Sequence, residues 1–115
     1  MASSFIALSD NNVLVSFNSS NLSRLSSLPV TGIDGSLLGI DTRPANGLIY
    51  GITTANKIYT IDPTTGIATQ VSTLNTPFTA TSVSGFDFNP VADRLRLVGD
   101  NDQNFRINVD TGAVT

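Results

Sequence analysis

Apolar positions along this chain fall in short β-rich runs, each closed by Pro, Gly, Asn or Asp. The clearest set lies mid-chain, where runs at 38–42, 48–53, 57–61 and 67–73 read as four strands. Arg43-Pro44-Ala45-Asn46-Gly47 and Asp62-Pro63-Thr64-Thr65-Gly66 supply turn chemistry between them, and Thr54-Ala55-Asn56 makes a tight connection. In the run 57–61, Ile58 falls on one face and Tyr59 and Ile61 on the other.

The same pattern returns. Gly39-Ile40-Asp41-Thr42-Arg43-Pro44 reappears 46 residues later as Gly85-Phe86-Asp87-Phe88-Asn89-Pro90. Without a gap, that offset carries Ile61 onto Ile107, Thr65-Gly66 onto Thr111-Gly112 and Thr69 onto Thr115. Upstream, runs at 5–9, 13–17 and 24–30 match the second to fourth strands, with Asn12 falling on Asn56. Downstream, runs at 84–88, 95–99 and 105–109 are followed by only the start of a fourth. Four short antiparallel strands in a repeat of this length make a β-propeller blade. The expected fold is therefore all-β, with about two and a half propeller-type blades in units 5–31, 38–74 and 84–115 of one domain, 1–115. A ring of four or so blades cannot close within it. Open edges and faces call for partners: a homo-oligomer, or the remaining half of a longer propeller. A monomer is expected to expose faces bearing Phe86, Phe88 or Leu95.

Composition supports strands and removes most chemistries. All nine acidic residues are Asp and lysine occurs once, so long helix-favouring side chains are scarce. The net charge of −3 offers no basic footprint for nucleic acid, and no apolar run is long enough to span a membrane. With neither His nor Cys, the chain lacks Ser-His-Asp triads, thiol nucleophiles and ordinary zinc sites. The N-terminus lacks the basic start and cleavage site of a signal peptide.

The remaining motifs each carry a structural and a chemical reading. Asp110-Thr111-Gly112-Ala113 spells an aspartic-protease signature, but the repeat places it on the hairpin turn Thr64-Thr65-Gly66. In 100–104, Asp100, Asp102 and Asn104 have the spacing of calcium ligands, although Phe105 replaces the usual Gly and no Glu follows. The other reading is an Asx-rich turn, matching Asp10-Asn11-Asn12. Arg94, Arg96 and Arg106 hold half of all basic residues, and alternation puts Arg94 and Arg96 on one face, with Asp87 a candidate to join them. That set reads as an inter-blade ion-pair group or as a pocket for a carboxylate or sugar acid. Asp41 and Asp87 recur at one blade position, which suits holding a turn or neighbouring strand better than catalysis. Two sequons begin at Asn18 and Asn21, in a Ser/Asn-rich stretch where they carry little information.

The motif running from Leu38 through Gly51, with Ile58-Tyr59-Thr60-Ile61-Asp62-Pro63 and Gly85-Phe86-Asp87-Phe88-Asn89-Pro90, resembles a bacterial domain family of unknown function. Asp93-Arg94-Leu95-Arg96 and Gln103-Asn104-Phe105-Arg106 extend the match over most of the chain. The resemblance implies a propeller, secreted or at the cell surface, of which this sequence is similar to the N-terminal half, and it supplies no catalytic residues. The expected function is non-enzymatic self-association or assembly. The alternative is a ligand-binding module for calcium or an acidic sugar. No cofactor is expected beyond that calcium.

Overall fold

The computed structural model describes residues 4–9, 12–18, 24–80 and 82–115. Among them there is no helix, and the strands form three antiparallel sheets that follow one another in sequence. The first holds β1 (Ser4–Ser9), β2 (Val13–Asn18) and β3 (Arg24–Pro29) in that order. The second holds β4 (Leu37–Thr42), β5 (Ile49–Thr53), β6 (Lys57–Ile61) and β7 (Ala68–Thr73). The third holds β8 (Val83–Asn89), β9 (Arg94–Gly99), β10 (Asn104–Asn108) and the short β11 (Ala113–Val114). Each is a meander in which every strand pairs with the next. The sequon positions at 19–23, and Asp10 and Asn11, lie outside the described residues.

The 46-residue repeat is written into the backbone. Asn56 and Asp102 both close hairpins at positive φ (62° and 67°), as do Gly47 and Asp93 (72° and 51°) and Gly66 and Gly112 (76° and 78°). Asn12, at φ 61°, does in the first sheet what Asn56 does in the second. Asn and Asp tolerate the left-handed region because their short side chains bond locally.

Pleat alternation sorts the core into two layers. Between the first and second sheets lie Leu14, Val30, Ile49 and Ile61; between the second and third lie Tyr50, Ile52, Ile58, Phe88, Leu95, Leu97, Phe105 and Ile107. The middle sheet is covered on both sides, so every residue of β5 is buried. This corrects the expectation of an exposed Phe86, Phe88 or Leu95 face. Phe88 and Leu95 are buried and Phe86 is half-buried against the second sheet, and the third sheet turns its charged row outward instead. Periodicity alone says which residues share a face, not which face is covered.

One bond that closes each unit and two that join it to the next sheet each occur twice. The carbonyl of Asn12 accepts the Val30 N–H (2.8 Å), and that of Asn56 accepts Leu74 N–H (2.9 Å). The side-chain oxygens of the same residues accept Leu37 N–H (2.7 Å) and Phe78 N–H (2.9 Å) at the start of the next unit. Finally, the Gly66 carbonyl of the second sheet accepts Thr31 N–H (2.9 Å), and the Gly112 carbonyl of the third accepts Asn75 N–H (3.0 Å). A Cβ on Gly112 would collide with the Thr73 carbonyl, which is why this close approach needs glycine.

Candidate functional site

Among the described residues the most deeply engaged charge is Arg43, 8% exposed, in the loop between β4 and β5. The loop lays its guanidinium across the end of the third sheet. Nε and Nη2 donate to Asp93 (2.9 and 2.7 Å), while Nη1 and Nη2 donate to Asp110 (2.9 and 3.1 Å). Nη1 also donates to the Tyr50 hydroxyl at 3.0 Å, with the guanidinium carbon 5.4 Å from that ring's centre. Two forked carboxylate contacts and an aromatic neighbour are what a planar guanidinium can satisfy and an ammonium cannot. Asp93 first, then Asp110, raise the Arg43 pKa still higher, and Arg43 holds Asp93 below the ordinary carboxylate range. The Arg43 charge is therefore permanent. Its place is structural: it ties the second sheet to the third.

Asp110 is thereby accounted for. It opens the turn between β10 and β11, its carboxylate is bound to Arg43, and the protease-like motif is a hairpin. Asp41 also acts structurally, its Oδ2 accepting the Phe88 N–H of the neighbouring first strand at 3.0 Å.

The arginines singled out from sequence are on the outer face of the third sheet. Arg96 stands directly opposite Arg106 on one side and Asp87 on the other. Arg94 folds back, its Nη1 donating to the carbonyls of Ala92 (3.4 Å) and Asp93 (3.2 Å). Arg96 and Arg106 are exposed, and among the described residues neither lies within salt-bridge distance of a carboxylate. A shallow groove lined by Arg96, Asn104, Arg106 and Thr115 runs beside them. The inter-sheet ion pairing anticipated for this trio is carried instead by Arg43, Asp93 and Asp110.

The calcium-like spacing falls at the hairpin between β9 and β10. Asp102 takes the left-handed turn position that Asn56 takes one repeat earlier, and Asp100, Asp102 and Asn104 are all exposed. Asn101 and Gln103 stitch the turn: Asn101 Nδ2 donates to Gln103 Oε1 at 3.1 Å, and Gln103 Oε1 accepts Thr79 N–H at 2.8 Å. Among the described residues no three His, Cys, Asp or Glu side chains gather into a metal-binding group. No helix among them is long and apolar enough to cross a membrane.

Among curated proteins, no sequence matches this chain. A family match spans residues 13–115, taking in the Arg43 cluster, the outer arginine face and all but the first strand, and the chain belongs to that family, described as Domain of unknown function (DUF4394).

Proposed function

We propose that this domain is a non-enzymatic β-propeller-type segment, extracellular or at the cell surface, that works by assembly. Its three sheets are read as blades, and the outer face of the third docks a second copy of the chain through acidic side chains. The observation that carries this reading is the Arg96–Arg106 pair. These residues face each other on the exposed face of the third sheet, with one carboxylate, Asp87, opposite Arg96 on its other side, and among the described residues neither arginine is in a salt bridge, so the face carries a net positive charge that a negative surface would offset. Their counterparts one repeat earlier are Tyr50 and Thr60, also directly opposite each other, and Tyr50 packs against the third sheet. The same face is thus an inter-sheet contact in one repeat and an exposed one bearing Asp87, Arg96 and Arg106 in the next. With nine Asp and a net charge of −3, the rest of the chain is acidic enough to supply the complement.

Sedimentation velocity at low and high salt tests this. We expect concentration-dependent association that weakens with salt and is lost in Arg96→Glu/Arg106→Glu. A folded chain that stays monomeric at every concentration refutes it. The groove beside the same arginines favours a second reading, a site for a small carboxylate or acidic sugar. Thermal stabilisation by a uronic acid without self-association would favour that reading. The Asp100, Asp102 and Asn104 calcium proposal is tested in the same format.

A further inference from the structure

Asn-Gly occurs once in the chain, at Asn46-Gly47. This dipeptide is the one most open to deamidation, because glycine brings no side chain to keep its nitrogen away from the asparagine amide carbon. Both residues lie exposed in the loop that carries Arg43, and nothing stands within 4 Å of where a Cβ on Gly47 would be. Burial therefore gives the pair no shelter. The loop instead occupies each group that the reaction needs. The Gly47 N–H donates to the Arg43 carbonyl at 2.8 Å. The Asn46 amide is held at both ends, its Oδ1 accepting the Leu48 N–H and its Nδ2 donating to the Tyr50 hydroxyl, each at 3.0 Å. That hydroxyl also accepts from Arg43 Nη1, so the amide is anchored to the ion cluster that ties the second sheet to the third.

We propose that Asn46-Gly47 is a deamidation site gated by the Arg43–Tyr50 cluster. While the cluster is closed, the nitrogen keeps its proton in a hydrogen bond and the amide is turned to its two partners. When it opens, the Gly47 nitrogen gives its proton to water and bonds to Asn46 Cγ. The Cγ–Nδ2 bond breaks, ammonia leaves with that proton, and a five-membered succinimide remains. Water then cleaves one of its two C–N bonds. Cleavage at Cγ leaves aspartate, and cleavage at the main-chain carbonyl leaves isoaspartate. Water is the only co-reactant, and nothing is oxidised or reduced.

The two products load the loop differently. Aspartate keeps an acceptor for the Leu48 N–H and offers the Tyr50 hydroxyl an acceptor in place of a donor. Isoaspartate routes the main chain through Cγ, adding one carbon between the Arg43 carbonyl and the Gly47 N–H that bonds it. The loop that lays Arg43 across the third sheet is then too long for its own closing bond. The modification falls on the joint that restrains it.

The test follows aspartate and isoaspartate at position 46 by peptide mass mapping, in the whole chain and in a synthetic peptide of residues 43–50, both held at mildly alkaline pH. The folded chain should react at least about tenfold more slowly than the peptide, since three hydrogen bonds must open together. Tyr50→Phe removes the hydroxyl that anchors the amide and should raise the rate by more than its change in the globally unfolded fraction explains. Wild-type chain in urea below its unfolding transition gives a second measurement that needs no variant, and there the rate should climb before global unfolding begins. Reaction of the folded chain as fast as the peptide, or no reaction in the peptide itself, would overturn the inference. So would a wild-type rate in folded Tyr50→Phe, or a urea dependence that tracks global unfolding alone.

Discussion

Truncating Arg43 should be among the most damaging single changes available to this domain. Its side chain makes five hydrogen bonds, four of them to carboxylates, from a position 8% exposed. A hydrogen bond to a charged group contributes about 1.5–3 kcal/mol net, and breaking a fully buried ion pair costs about 3–5 kcal/mol. Asp93 and Asp110 keep 33% and 60% of their side-chain surface, so water rehydrates them when the guanidinium leaves. That lowers the expected cost of Arg43→Ala to about 2–4 kcal/mol, part of it lost packing on Tyr50. Arg43→Lys keeps the charge but not the two forks, and should recover less than half of the loss. Urea unfolding followed by tyrosine fluorescence and far-UV circular dichroism measures both. Asp93→Asn should destabilise more than Asp110→Asn, and each should do far less in an Arg43→Met background than alone. An Arg43→Ala variant within about 0.5 kcal/mol of wild type, the range of an ordinary surface change, would refute the claim that this cluster ties the sheets together.

Two further outcomes follow from the same geometry. Asn56→Ala removes the acceptor for Phe78 N–H and places a Cβ-bearing residue without local bonding at φ 62°, so urea titration should show a loss of about 1.5–3 kcal/mol; Asn56→Asp, which repeats the residue found at 102, should be tolerated. For pH, Asp93 is held below its ordinary value chiefly by Arg43, and Asp62 chiefly by the Thr64 N–H. Groups with depressed folded-state values stabilise fully above their unfolded pKa, about 4, and lose that contribution as pH falls through the folded value. The urea midpoint should thus hold from neutrality to about pH 4 and drop below it, less steeply in Arg43→Met; an unchanged slope in that variant would count against the Arg43–Asp93 link.

Much of this architecture was legible because the repeat is ungapped. Turn residues and alternation at 38–42, 48–53 and 57–61 locate the strands of the second sheet to within a residue or so, and the offset transfers them to the third. The strand-holding role of Asp41 could be read from its recurrence, since a lone carboxylate beside a strand has few other uses. The Arg43 cluster could not, because its partners lie 50 and 67 residues away and the repeat gives no hint of them: position 43 is Asn89 one unit on, and Asp93 is Gly47 one unit back. The covered face of the third sheet does not follow from period alone, but the contrast between its two faces marks it. Asp87, Arg96 and Arg106 form one polar row, and a polar row opposite an apolar one marks which side meets solvent.

The doubled joints between sheets bear on how the chain folds. Thr31 finds its acceptor on Gly66 and Asn75 finds its own on Gly112, so the exits from the first and second sheets are each completed only by a turn some 35 residues further along. A nascent chain cannot finish one unit before most of the next has emerged. Elongation by neighbour-dependent steps follows, in which each unit's stability includes a term owned jointly with its successor, and the molecule unravels from an end rather than sheet by sheet at random.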